Sequence, residues 1–361
     1  MRVSGVSTSA PVFPDDGPRG KRIIRRLRGI PLEILAFVVV TALFPLLALA
    51  ALATDLIRWG ASRQPFTAIR LLGFLWWFLA GEMRAFVILA WIWVSNGGPF
   101  RGDSQRRRQG LYNLRKSWAR WHLAGVRVLF GLRFEVEGLE KAGPGPVLVM
   151  IRHASIVDNL LPDTLIANAH GLGLRYVIKR ELEALPVIDI GGRWVPTNFL
   201  RRTSRDPEAE LARLLQLSED LVPREGILIY PEGTRHTAAK LARAKEKIAE
   251  TQPEIAAMAE GLENLLPPRL GGPLSLLDAT RGTDVVFCAH VGFDGFETVG
   301  DIWRGGLVGR TISVDITRVP AAEIPTERDE QIRWLYAHWQ KMDDWIGAHR
   351  EAVGQPSRPA A

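Results

Sequence analysis

The sequence predicts an α/β protein, a central mixed sheet flanked by helices, with an N-terminal membrane-associated helical hairpin. Three observations lead there: six short apolar runs alternating with helical patterns, an almost charge-free stretch near the N-terminus, and basic clusters flanking the apolar segments. The chain of 361 residues is long enough for a substantial core and for one large domain or two ordinary ones.

Residues 1–30 read as a disordered basic segment, its first part rich in Ser, Pro and Gly. From Ile34 to Ala53 there are twenty residues without a charge; as a helix they would rise about 30 Å, the thickness of a bilayer's hydrocarbon core. The run is too long for a cleaved signal peptide, and Pro45 inside it is a candidate kink. A second segment, Leu71 to Val94, is rich in Trp and Leu but holds Glu82 and Arg84 near its middle. Charges in lipid cost at least a few kcal/mol. The two therefore pair inside a hairpin with the first segment, or the segment lies re-entrant with Trp76, Trp77, Trp91 and Trp93 at headgroup level. Residues 31–100 are thus expected to anchor the chain.

The net charge is +7. Its surplus sits in Arg19, Lys21, Arg22, Arg25, Arg26 and Arg28 before the first apolar run, and in Arg101, Arg106, Arg107, Arg108, Arg115, Lys116 and Arg120 after the second. Basic residues beside apolar runs read anionic membrane phospholipids, and no DNA- or RNA-binding motif supports nucleic acid as a partner. By the positive-inside rule the hairpin runs in-out-in, which puts the body of the chain on the cytoplasmic side of an inner, cytoplasmic membrane. The single cysteine, Cys288, excludes an intrachain disulfide framework and speaks against a metal site.

In the body, strands are expected at Arg133 to Glu137, Val147 to Ile151, Tyr176 to Lys179, Ile227 to Tyr230, Val285 to Val291 and Thr311 to Val319. An amphipathic helix is expected from Ala238 to Leu265, stopped by Pro267 and Pro268. A last helix, from about Thr326 to His349, carries the apolar stripe Trp334, Leu335, Trp339, Met342, Trp345 and Ile346, which suits core packing.

His153 follows the second strand, in the run His-Ala-Ser-Ile-Val-Asp that ends at Asp158. On one ideal helix, residues five apart point about 140° away from each other. A touching pair therefore needs His153 in a loop and Asp158 in the first helical turn after it. There the carboxylate would fix the imidazole tautomer and aim the other ring nitrogen at a substrate proton. The second motif, Tyr230-Pro231-Glu232-Gly233-Thr234-Arg235, follows a later strand, and ligands of open α/β sheets bind at the carboxyl ends of strands. Gly233 permits a tight turn, Thr234 offers a hydroxyl and Arg235 a planar fork for phosphate.

His-x4-Asp after one strand and Tyr-Pro-Glu-Gly-Thr-Arg after another about eighty residues on resemble the motifs of the glycerolipid acyltransferases, the 1-acylglycerol-3-phosphate or lysophospholipid acyltransferase family. Phe199-Leu200-Arg201-Arg202 with Asp206 is similar to the family's block between the two, and Lys179-Arg180-Glu181-Leu182 with Pro186 to a further segment. Val285 to Val291 takes the place of the last block, with Cys288 and His290 where a proline is usual. The resemblance covers about residues 120–350, and implies an acyltransferase domain over 110–350 with a tail at 351–361.

That resemblance implies O-acyl transfer from acyl-CoA or acyl-carrier protein to the free hydroxyl of a lysophospholipid, 1-acylglycerol-3-phosphate first, lysocardiolipin or another lysolipid as the alternative. His153 would be the base and Asp158 its orienter. Arg202 (or Arg201), Arg235, Glu232, Gly233, Thr234 and Lys179 would bind substrate, and no tightly bound cofactor is expected. A lipid hydrolase would need a nucleophile, but there is no Gly-x-Ser-x-Gly elbow and Ser155 lies inside the His-Asp motif. A non-catalytic membrane scaffold would not need both His153 and Asp158.

Overall fold

The computed structural model describes residues 19–98, 105–200, 207–296 and 298–352. Three long helices come first, α1 (Arg19–Ser62), α2 (Ala68–Ser95) and α3 (Gln105–Phe130). Strands β1 (Arg133–Glu137) and β2 (Val147–Ile151), the single turn α4 (Asn168–His170), β3 (Gly173–Lys179), α5 (Pro186–Gly191), β4 (Thr197–Leu200) and α6 (Pro207–Leu215) follow. Then come β5 (Glu225–Ile229), α7 (Ala238–Thr251), α8 (Pro253–Glu260), α9 (Gly271–Ala279), β6 (Asp284–Val291), α10 (Val299–Trp303), β7 (Thr311–Val319) and α11 (Arg328–Ala352). The chain forms two units, one of residues 1–129 and 173–222, the other of 130–172 and 223–361. The single body expected over 110–350 is therefore divided, because the segment around β3 and β4 packs with the N-terminal helices.

In the second unit five strands lie in the order β1-β7-β6-β2-β5. Neighbours are parallel except β6 and β7, which run antiparallel with Val285 opposite Val319 and Val291 opposite Ser313. The sheet is mixed, as expected. Every residue of β2 and β5 is buried, which is why Val147 to Ile151 and Ile227 to Ile229 read as unbroken apolar runs and not as alternation. Of the stripe on α11, Leu335, Trp339, Met342 and Ile346 are buried. The helix expected from Ala238 to Leu265 is two helices: Pro253 bars Gln252 from helical geometry, so α7 ends and α8 starts with proline in its first turn.

In the first unit β3 and β4 pair in parallel, with Lys179 opposite Leu200. Helix α1 takes in residues 19–30, which had been expected to lack order, and continues through Pro31 and Pro45. Both α1 and α2 are long and apolar enough to cross a membrane. Asp55 of α1 caps α2: its carboxylate accepts the N–H groups of Thr67 (3.0 Å), Ala68 (2.9 Å) and Ile69 (2.9 Å). Farther along, Trp76 donates to the Thr41 hydroxyl at 3.0 Å.

Glu82 and Arg84 do not bond to each other; both turn toward α3, an element absent from the expected set. The Glu82 carboxylate accepts from the Trp118 indole at 2.6 Å and lies 3.4 Å from His122, while Arg84 donates to Ser117 at 3.3 Å. Trp77 and Trp121 stack at 4.4 Å beside Gly125, where a Cβ would meet the Trp77 ring at 2.4 Å. Arg25 and Arg26 are likewise used inside the unit, on the buried Asp189 at 2.5 and 2.7 Å.

Candidate active site

Strand β2 ends at Ile151, and the chain leaves it as a loop that carries His153 into a short 3-10 turn beginning with Asp158. This is the loop-then-helix arrangement the spacing requires. His153 Nδ1 lies 3.1 Å from Asp158 Oδ1 and 3.3 Å from Oδ2. Asp158 is fully buried and also accepts the N–H groups of Ala154 (2.6 Å) and Ser155 (2.7 Å) through Oδ2. Burial pushes its carboxyl up, but His153, His290 and the Ser155 N–H outweigh burial and hold it below the ordinary carboxylate range. A carboxylate so held makes Nδ1 of His153 the donor, leaving Nε2 as the basic atom. His153 itself is 8% exposed.

The second motif wraps the same loop. Glu232 Oε1 accepts the His153 N–H at 2.6 Å, and the His153 carbonyl accepts the N–H of His236 at 2.8 Å. Both edges of the His153 peptide are thus bound by residues 232–236. The other Glu232 oxygen accepts the Leu266 N–H at 3.0 Å, so this buried carboxyl braces backbone through both oxygens. Burial pushes Glu232 up to about 8, against the pull of the two N–H donors and of Arg152. Gly233 adopts φ +67, and a Cβ there would meet the Arg269 side chain at 2.7 Å, so the turn requires glycine. Thr234 and Arg235 are half-buried in this turn, and the Arg235 carbonyl accepts from Lys240 at 2.9 Å. The Tyr230 ring lies 4.6 Å from the His153 ring.

Of the other expected residues, Lys179 closes β3 in the first unit, while Arg201 and Arg202 lie outside the described residues. Ser155 is buried, and its hydroxyl donates to the Phe296 carbonyl at 2.9 Å and accepts from the Val157 N–H at 3.2 Å. The hydroxyl is thus engaged on both sides by backbone groups. Among the described residues no group of three or more His, Cys, Asp or Glu side chains could hold a metal ion.

Sequence reasoning missed two neighbours of the pair. His290 of β6 is fully buried with Nε2 3.7 Å from Asp158 Oδ2 and 3.2 Å from the Arg152 carbonyl. Burial, with help from the Arg152 cation, lowers its pKa to about 4 although Asp158 pulls the other way, so it is neutral at physiological pH. Arg152, next to His153 in the chain, is fully buried as well. The only sequence signal for it was an arginine joined to an otherwise apolar strand.

Residues 133–259 match the family model described as Acyltransferase. The human protein named 1-acyl-sn-glycerol-3-phosphate acyltransferase delta is 28% identical over 213 residues, 56% of this chain and 53% of that protein. Lysophosphatidylinositol acyltransferase 10 of Caenorhabditis elegans is 21% identical over 260 residues, 67% of this chain and 63% of that one. The chain spans about half the length of most of the curated relatives it matches. The crystal structure of the 1-acyl-sn-glycerophosphate acyltransferase PlsC from Thermotoga maritima aligns with TM-score 0.49 at 14% identity, covering 80% of this chain and 99% of that chain.

Proposed function

We propose that the chain, whose residues 133–259 match the Acyltransferase family model, is a membrane-bound O-acyltransferase acting on lysophospholipids, 1-acylglycerol-3-phosphate first among them. One observation carries the reading: an imidazole whose Nδ1 is held 3.1 Å from a buried carboxylate, in a loop whose peptide is bound on both edges.

Nε2 of His153 takes the proton of the acceptor hydroxyl as that oxygen attacks the thioester carbonyl of acyl-CoA or acyl-carrier protein. The new C–O bond forms, the tetrahedral intermediate expels the thiolate as the C–S bond breaks, and the imidazolium returns its proton to the sulfur. The products are a diacyl lipid and a free thiol, with no acyl-enzyme. Asp158 stabilises the imidazolium between the two proton transfers. Arg235 supplies a guanidinium fork for the acceptor phosphate, and Thr234 adds a hydroxyl beside it. Helices α1 and α2 keep the enzyme on the membrane where substrate and product partition, with the catalytic body facing the cytoplasm.

The purified protein, incubated in detergent with labelled acyl-CoA or acyl-carrier protein and a panel of lysophospholipids, is expected to convert 1-acylglycerol-3-phosphate to phosphatidate. Acylation of lysocardiolipin or another lysolipid in its place would change the acceptor; release of free fatty acid with no transfer would make the protein a hydrolase.

A further inference from the structure

The buried polar groups that the acyl-transfer step does not use converge on one chain of charges behind the base. Arg152 is fully buried, and an unpaired guanidinium there would be costly. Its Nη1 donates to the His290 carbonyl at 2.6 Å and to Asp294 Oδ2 at 3.1 Å, and Nη2 to Asp294 Oδ1 and to the Asn264 carbonyl at 3.2 Å. Asp294 Oδ1 also accepts from Arg350, in the last turns of α11, whose Nη1 donates to the Asn264 side chain at 2.7 Å. A second route joins the same ends. Asp343 of α11 accepts the N–H groups of Glu263 (3.0 Å), Asn264 (2.7 Å) and Leu265 (2.7 Å), and the next N–H, of Leu266, goes to the carboxyl that holds the His153 peptide. The catalytic loop and α11 are therefore linked by two routes, one through the Arg152 side chain and one through the His153 N–H.

We infer that Arg152, Asp294 and Arg350 are positioning residues for the His153 base, a buried cation–anion–cation chain through which α11 holds the loop and sets the electrostatic field behind the imidazole. The inference rests on the acyl-transfer reading for the meaning of the field, but its geometry stands apart from substrate. Asp294 lies between two guanidiniums: burial pushes its carboxyl up, and Arg152 and Arg350 overcome this and hold it well below the usual carboxylate range. Its negative charge offsets a cation located one residue from the base. The charged and titratable groups around the His153 loop are Asp158 and Arg152 of the loop itself, Tyr230, Glu232, Arg235 and His236 of the turn, and His290 of β6.

A charge device and a merely structural brace differ in the sign of their effects. Removing the anion leaves the cation of Arg152 uncompensated and disfavours protonated His153; removing the outer cation does the reverse. Asp294→Asn is expected to lower kcat about tenfold or more with KM for both substrates nearly unchanged, and to move the acid limb of the kcat profile down by about half a pH unit. Arg350→Gln is expected to move that limb upward by less, since Arg350 is one link farther away, and Asp294→Glu to restore part of the rate. The same opposite displacements are expected in the NMR titration of the His153 imidazole, assigned by the signal missing from His153→Gln, which reads the field without turnover. Circular dichroism and melting select folded variants, and Arg350→Lys, which keeps the charge, leaves the limb in place. Titration midpoints that stay fixed in both variants, or move in the same direction, overturn the inference. A wild-type protein that transfers no acyl group, yet shows opposite displacements by NMR, overturns the functional reading alone.

Discussion

Asp158 serves two masters, the His153 ring and the N–H groups of Ala154 and Ser155, so a neutral amide in its place would damage tautomer control before it damaged the fold. Asp158→Asn is expected to reduce kcat by roughly 10³ to 10⁴, the scale of losing the orienting carboxylate of a catalytic triad, with less effect on KM; steady-state kinetics on the folded variant check this. His290 makes a pH prediction. Its folded pKa, about 4, is below the ordinary 6.5 because burial penalises the cation. Its contribution to stability is therefore fully present above pH 6.5 and is lost as pH falls through 4. Urea unfolding at pH 7 and at pH 4.5 should show a smaller loss of stability in His290→Gln than in the wild type, and an equal loss in both would contradict the buried neutral imidazole. At this scale the spacing of His153 and Asp158 was legible because a strand end and the following turn are adjacent in sequence. The Arg152–Asp294 contact was not, since 142 residues separate its partners and nothing local marks them as a pair.

At the scale of elements, long apolar or alternating stretches were readable and short or doubly used ones were not. The strand at Thr197–Leu200 escaped notice because four residues hold no period, and α3 because its basic residues hide the face whose Trp118, Trp121 and His122 meet Glu82 and Trp77. Pro253 was visible in the sequence, yet helical composition on both sides masked the break it imposes. Asp55 shows how a charge at the end of an apolar helix can be structural: three N–H groups at the start of α2 have no partner inside that helix and take the carboxylate instead. Asp55→Ala is expected to destabilise the hairpin by about 1–2 kcal/mol, the upper range for losing an N-terminal cap, read as earlier loss of protease resistance at the 63–67 connection in micelles. Asp55→Asn, which keeps one acceptor oxygen, should lose less.

For the molecule as a whole, composition gave the correct division of labour between an apolar N-terminal part and an α/β body, but not the division of the chain into units. Strands read from sequence come in order, whereas here β3 and β4 fold with the N-terminal helices and the rest of the strands form the second unit. Charge counting also overstated what is left for lipid headgroups, since Arg25 and Arg26 are spent on Asp189. What unites the second unit is the convergence of segments from β2, the 230–236 turn, β6 and α11 on one short loop, which under the proposed function sets the basicity and aim of a single nitrogen. The rate of acyl transfer from labelled acyl-CoA to the preferred lysophospholipid, compared between wild type and His153→Ala of equal melting behaviour and equal membrane fraction, tests this most directly. A fall of about 10² to 10⁴ in kcat is the predicted result; transfer at an undiminished rate without the imidazole would contradict the account.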